Sequence, residues 1–528
     1  MASTFFGLTI AYSGLQAANT SLNVAGHNIS NINTDGYTKQ EAEKTAADAI
    51  RTYNTYGTLG GGVTVTQIKQ LRDSYYDVKY RNNMANYGQF SVKQNYMSQI
   101  EDYLNEVNLK GYTAEYNNFF AAVNQLTLTP GDASAKNQLI NNAKSMADYF
   151  NTLNNNLRNV QADANNEIKD AVQQINALAK NIAALNRQIN QIEANAGNAN
   201  DLRDKRNAMV DELSSIVNID VTETELGNNL TDYQVRVNGQ TLVTSYGYNT
   251  LEVVAREDKR NASDAAGLYD IQWTSGQVFD IYSDSLGGEL RGLIDIRDGN
   301  NGTIEQLSGR KDLGGNEILE TVAKNNENTD YKGVPYFQAQ LNEYIQIFSD
   351  AVNQIMTGMS YNGDTGTYDK VNDTYTSDGL KEGIPLFSVH TEGMPMSANN
   401  ITVNSELLEN PELLAIKTSK STGEADAQVM EQLVKLQTAT IFDGGTSGYF
   451  LESIVSDMSI DAQKANNLHA NYNNLKTSIH NQRLSIMGVD TDEEAMDLVK
   501  FQQAYNLNSK MMSIMNQIYD KLINQTGV

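Results

Sequence analysis

The 528-residue sequence contains no cysteine. That removes disulfides, thiolate metal sites and cysteine nucleophiles together, and it suits a chain that travels unfolded between redox compartments. Histidine is nearly as scarce. His27, His390, His469 and His480 include no pair at the i,i+3 or i,i+4 spacing that builds a metal site on a helix. No Lys or Arg precedes Lys39, so the amino terminus lacks the positive start of a secretory signal. No apolar run approaches the roughly 20 residues of a membrane span, so no membrane insertion is expected. A route out of the cell would have to be one that needs no cleaved peptide. Positive charge is also in deficit: 39 Lys+Arg against 64 Asp+Glu gives −25. That balance opposes phosphate backbones and anionic membrane surfaces and favours a soluble, self-repelling particle, so nucleic acid is not an expected partner.

What the chain does contain is heptads. From Leu8 one stripe reads Leu8, Ala11, Leu15, Ala18, Leu22, Ala25, Ile29, Ile32, an unbroken alternation of three and four with large residues at one position and mostly Ala at the other. The small residues admit a neighbouring helix closely, while Asn19, Asn23 and Asn28 make this a poor autonomous helix. Near the other end, Leu498, Phe501, Tyr505, Asn508, Met512, Met515, Tyr519 and Leu522 repeat the pattern. A second stripe, Ala504, Leu507, Met511, Ile514 and Ile518, runs beside it, so more than one neighbour is expected. Asn508 is the kind of seam polar residue that fixes register at some cost in stability.

Energetics decides whether the first helix stands alone. Its five large seam side chains supply about 1.5–3 kcal/mol each, against roughly 1–2 kcal/mol of backbone ordering for each residue of the helix. Both ends are therefore expected to be disordered in the monomer and to fold on assembly.

The cleanest repeat places Ile168, Ile175, Ile182 and Ile189 on one heptad position and Ala171, Leu178, Leu185 and Ile192 on the other. It predicts a helix over 150–194, about 70 Å long, that Gly197 stops before a second segment opens at Asp201 and returns as a helical hairpin. Helical patterns recur over 341–355 and 427–486. Period-two runs at Tyr233, Val235, Val237 and at Tyr269, Ile271, Trp273 predict strands, the first leading into the hairpin turn Asn238-Gly239. Stretches 298–328 and 361–378, rich in Gly, Asn, Asp and Thr, read as outer loops. The expected class is α+β: a long coiled-coil helical trunk built from both termini, with an inserted outer β-rich domain. The expected limits are 1–60 and 485–528 for the terminal coiled coil, 61–215, 335–360 and 425–484 for the trunk, and 216–334 and 361–424 for the outer domain.

Sharper chemistry finds little purchase. Asp490, Asp492, Glu493 and Glu494 lack the alternating ligands and glycine of a calcium loop; Asp490 or Thr491 caps a helix instead, and the carboxylates meet its dipole. Gly60-Gly61-Gly62 turns into a strand at Val63 and Val65, since no Gly-Lys pair makes a phosphate loop. Ser447 beside Gly448 has no nucleophile elbow, and reads as a flexible link. No catalytic residue, cofactor or metal site is expected. The 28 tyrosines raise a surface adhesin as an alternative, although Tyr505 and Tyr519 fall on the seam and Tyr233 and Tyr269 on strands.

Ala18, Leu22, Gly26-His27-Asn28-Ile29-Ser30-Asn31, Thr34 and Gly36-Tyr37-Thr38 resemble the amino-terminal signature of the flagellar rod, hook and hook-associated axial protein family. Its core residues here are Gly26, Asn28, Ile29, Asn31, Gly36 and Tyr37. Leu202-Arg203-Asp204-Lys205-Arg206, Val210-Asp211-Glu212-Leu213, Ser285-Leu286-Gly287-Gly288, Gly488-Val489-Asp490-Thr491-Asp492-Glu493-Glu494 and Phe501-Gln502-Gln503-Ala504-Tyr505 resemble the members at the hook-filament junction, in order, and end to end. Two departures stand out. Lys39 replaces the family's usual Arg, and the short distance from Pro385-Leu386-Phe387 to the closing helices suggests that an outer domain of some relatives is missing.

The resemblance implies a structural subunit that self-associates in a ring or short tube, with hook protein below and hook-associated protein 3 and the filament above; a rod or hook subunit is a further alternative. It implies an extracellular place at the hook-filament junction and export through the flagellar type III apparatus. It also implies a cytoplasmic export chaperone, placed here on the carboxyl-terminal helices because a doubly apolar helix needs shielding.

Overall fold

The computed structural model describes residues 6–51, 57–110, 112–195, 197–227, 230–261, 263–301, 330–362, 367–420, 423, 425–442 and 445–525. The chain opens with α1 (Phe6–Ser30), then β1 (Gln40–Ala46), β2 (Ile50–Arg51), β3 (Thr58–Leu59) and β4 (Val63–Gln70). The helices α2 (Ser74–Lys110), α3 (Tyr112–Leu128), α4 (Ala133–Glu193) and α5 (Asn200–Ile216) follow. Next come β5 (Ile219–Gly227), β6 (Leu230–Val237), β7 (Gln240–Val243), β8 (Leu251–Ala255) and β9 (Tyr269–Trp273), then α6 (Gly288–Asp298) and α7 (Val334–Thr357). Short strands β10 (Met359–Asn362), β11 (Thr367–Lys370), β12 (Tyr375–Thr376), β13 (Phe387–Val389) and β14 (Ile401–Val403) precede α8 (Ser405–Glu409) and β15 (Ala415–Lys417). The chain closes with α9 (Gln428–Leu436), α10 (Ser447–Met487) and α11 (Thr491–Asp520). The class is α+β, as expected.

The chain forms two compact units: Met1–Tyr87, Gln174–Thr250 and Tyr472–Val528 in one, Gly88–Gln173 and Leu251–Asn471 in the other. The first unit gathers both chain ends. In it β1 and β4 pair antiparallel, from Gln40 opposite Gln70 to Ala46 opposite Val63, with one irregularity at Glu43/Lys44. The backbone N–H of Val63 donates to Ser13 Oγ at 3.2 Å, which fastens this ribbon to α1. The sheet β5-β6-β7 turns at Asn238 and Gly239, with φ of 51° and 75°, the left-handed pair that a tight hairpin demands. Tyr233, Val235 and Val237 of β6 are buried, as their alternation predicts. Asn190 of α4 ties the helix to this sheet, donating to the Thr231 carbonyl at 3.1 Å, and the Arg206 guanidinium of α5 lies 3.6 Å above the Tyr233 ring.

The second unit has an aromatic core. Tyr344 of α7 stacks on Phe348 at 5.6 Å and on Phe442 at 5.4 Å, and Phe119 of α3 meets Phe348 edge-on at 6.0 Å. Asn353 bridges α7 to β13 through both Phe387 backbone groups, at 2.9 and 3.0 Å. Asp298 sits beside Arg297 and Arg256; burial opposes its charge, yet the two guanidinium groups hold its carboxyl well below the usual range.

On α4, Ile168, Ile175, Ile182, Ile189, Ala171 and Leu178 are buried, while Leu185 is part-exposed and Ile192 exposed where the helix ends. The compact units cut across the expected domain limits, since the strands of 219–243 join the unit of the chain ends and β8 and β9 the other. Part of 361–378 is not loop: β10 and β11 pair antiparallel there, with Tyr361 opposite Tyr368, and β12 pairs with β15. Residues 302–328 and 363–366 of the expected loops lie outside the described residues. Ser447 does not lie in the expected flexible link either. It is a buried first residue of α10, 2.6 Å from the Tyr116 hydroxyl, and the aromatic neighbours Phe442 and Phe450 explain why this junction is packed.

Candidate assembly site

The two chain ends meet as an antiparallel pair of α1 and α11 in the first unit. α1 packs against α11, β1 and β4, and its buried residues are mostly small: Ala11, Ala17, Ala18, Ser21, Val24, Ala25 and Asn28. The large residues of the expected seam, Leu8, Leu15, Leu22, Ile29 and Ile32, are part-exposed. On α11, Leu498, Phe501, Tyr505, Asn508, Met512 and Met515 are part-exposed and Tyr519 is buried. Leu522 lies beyond α11, exposed, in the wider turn Lys521–Gln525. Of the second stripe, Ala504 is part-exposed and Leu507, Met511, Ile514 and Ile518 are exposed.

Two glycines missed by the apolar pattern set how closely the helices approach. A Cβ at Gly14 would stand 2.7 Å from Asn508 Oδ1, and one at Gly7 would stand 2.6 Å from Met515 Cε. Gly7, Gly14, Ser21 and Asn28 are seven apart, as are Met515, Asn508, Phe501 and Glu494 in reverse. The row ends where Asn28 Nδ2 donates to Glu494 Oε1 at 3.1 Å, so each heptad step up α1 matches one back down α11. The signal was present in the sequence as the seven-residue spacing of small residues, hidden beside the larger leucines.

At that end the family signature closes into a clasp. Asn28 uses all its side-chain capacity: Nδ2 donates to the Gln40 carbonyl at 2.9 Å and to Glu494, while Oδ1 accepts from the Tyr37 hydroxyl at 2.8 Å and the Gln40 N–H at 3.0 Å. Lys39 Nζ reaches Glu493 at 2.7 Å and Glu494 at 3.3 Å. Burial works against the Lys39 charge, but these two carboxylates outweigh it and raise its pKa. Burial, then the nearby Asp201, Asp204 and Glu494 charges, pushes the Tyr37 hydroxyl well above its ordinary value. Asp490 caps α11, accepting from the Asp492 and Glu493 N–H groups at 2.8 and 3.2 Å.

The other signature residues support this loop. Asn31 Nδ2 donates to the His27 carbonyl at 3.0 Å, and His27 lies 3.3 Å from Asp201. Gly36 takes φ 74°, the left-handed turn that brings Tyr37 back to Asn28. At Gly26 a Cβ would meet no other part of the described residues within 4 Å.

Thr38 leads into a run of alternating charges. Its N–H and hydroxyl donate to Asp204 at 3.0 and 2.6 Å; burial raises the Asp204 pKa and these bonds oppose the rise. Arg72 lies 3.7 Å from Asp204 and binds Asp77 at 2.6 and 3.0 Å. Arg483 joins Asp77 at 2.9 Å, an ionic contact without hydrogen-bond geometry, to Asp211 at 2.7 Å, and Arg81 meets Asp211 at 2.7 Å. α10, α2, α5 and the signature loop are thereby locked together. A cleft of about 1010 Å³ opens beside the loop, lined by Ile32, Tyr37, Arg72, His480 and Arg483 among others. Among the described residues no group of three or more His, Asp or Glu converges as metal ligands, and no helix is long and apolar enough to cross a membrane. The arrangement offers helix faces and fixed registers.

The family model described as the helical domain of flagellar hook-associated protein FlgK matches residues 97–368. A model of the flagella basal body rod protein matches 8–38, and one of the flagellar basal body rod FlgEFG protein C-terminal region matches 480–525. These two end matches coincide with the paired helices and their clasp. The chain is 27% identical to flagellar hook-associated protein 1 of Bacillus subtilis, over 100% of this chain and 99% of that one. It is 27% identical to the protein of the same name in Escherichia coli, over 97% and 98%. Neither relative therefore holds a large domain outside the alignment. The solved flagellar hook junction protein FlgK of Burkholderia pseudomallei superposes with a TM-score of 0.56 at 14% identity, over 78% of this chain and all of that one.

Proposed function

The chain belongs to the flagellar hook-associated protein family, a family of structural proteins of the flagellum and not of enzymes, and from that premise we propose that it joins hook to filament. The observation that carries this reading is the meeting of residues 8–38 and 480–525, the two rod-type segments, in one antiparallel pair fixed by the Asn28–Glu494 clasp. Each subunit presents that pair to its neighbours in a ring or short tube, accepting hook protein below and hook-associated protein 3 and the filament above. No bond is made or broken. The exposed stripe Leu507, Met511, Ile514 and Ile518 is the surface that neighbours cover after assembly and that a cytoplasmic chaperone shields before export. Neighbouring subunits stabilise the paired ends further as they pack.

No observation favours an adhesin: Tyr116, Tyr233 and Tyr344 are core residues. Electron microscopy of cells lacking the gene tests the reading, with flagellin assayed in the medium. Complete hooks without filaments, and flagellin shed to the medium, are expected. Absent hooks would point to a rod or hook subunit, and normal filaments would overturn the assembly role.

A further inference from the structure

We propose that Gly14 and Asn508 form a steric key that fixes the register in which the two chain ends pair, with Gly14 as the notch and Asn508 as a positioning residue. The inference deepens the assembly reading, because a subunit whose ends pair out of register would present the wrong faces to its neighbours. Three atoms of the Asn508 side chain, Oδ1, Cγ and Nδ2, lie within 2.7–2.9 Å of where a Gly14 Cβ would stand. They can withdraw only together, by a rotation about Cα–Cβ that breaks the bond from Nδ2 to the Ala504 carbonyl at 2.9 Å. At Gly7 the nearest atom is Met515 Cε, the free end of a long side chain, which can swing aside.

The heptad row makes two slipped registers possible in principle, and key and clasp each block one. A slip that brings Asn508 opposite Ser21 puts the amide against a side chain that is buried and already bonded to the Ala17 carbonyl at 2.9 Å. The opposite slip brings Asn508 to Gly7 and Phe501 to Gly14, which are open, but it takes Glu494 away from Asn28 and Lys39. The notch therefore excludes the first slip by volume, and the clasp disfavours the second by leaving buried polar groups unpaired.

The absence of cysteine gives a clean reporter. In the full-length chain, Ala25→Cys with Asp497→Cys reports the observed register, and Ala18→Cys with Asp497→Cys reports the slip that brings Asn508 to Gly7. Gly14→Ala is expected to abolish the first disulfide, and Asn508→Ala added to it is expected to restore it. Asn508→Ala alone and Gly7→Ala are expected to keep it. Persistence of the native disulfide in Gly14→Ala would overturn the proposal, as would failure of Asn508→Ala to rescue it. A Gly14→Ala chain that gives neither disulfide has lost the pair and not shifted it, which would also overturn the proposal. The readout needs only the purified chain, so it can fail while deletion still strips filaments from hooks, or hold while deletion leaves them.

Discussion

At the scale of single residues, the site depends on an asparagine with every hydrogen bond made. Asn28→Ala strands the Gln40 N–H and carbonyl and removes one partner of a buried Glu494. It should cost roughly 1–3 kcal/mol, seen as a lower midpoint in urea unfolding. Tyr37 and Lys39 set an alkaline limit. A phenol whose pKa is raised by folding keeps its proton when the unfolded chain releases it near 10.0, so stability falls above that pH. Lys39, also raised, contributes fully below its unfolded value of 10.5 and loses that contribution as pH rises through its folded one. Thermal melts from about pH 9 to 11 should show a decline that is shallower in Tyr37→Phe. Of this network, Gly36, Tyr37 and Asn28 were legible as a signature and Asp490 as a cap. Glu494 was read as part of the helix dipole and of the Gly488–Glu494 motif but not as a partner of Asn28, because that partner lies more than 450 residues away in the chain, a distance over which spacing carries no information.

At the scale of elements, repetition was legible and partnership was not. The α4 heptads identified the faces that are buried, since an uninterrupted apolar row has one way to be covered. In α1 the alanines were legible as positions of close approach, but Gly7 and Gly14, which meet Met515 and Asn508 of α11, fell outside the apolar row, for close approach is governed by what side chains lack. The alternating strands β6 and β9 followed their pattern, whereas β10 and β11 escaped notice because four-residue strands in polar sequence have no period to detect. Capping makes a sharp prediction here. Asp490→Ala leaves two N–H groups of α11 unbound and should cost about 1 kcal/mol, with fraying of the first turn visible as faster amide exchange at Asp492 and Glu493.

At the scale of the whole molecule, α1 and α11 are bound to one fate. Removing residues 491–528 uncovers the Gly14, Ala18 and Ala25 face of α1, so circular dichroism of that truncated monomer should lose more helix than α11 contains. A loss equal to α11 alone would mean that α1 holds its shape without its partner. The division of the chain between units was not legible, because the strands near 230 and near 270 look alike in sequence and yet belong to different units. The pairing also makes α1 a witness to residues more than 450 positions away. A chain cleaved anywhere between the two helices and parted from its far piece is left with that face of α1 uncovered, so damage remote from the pair is felt at the pair.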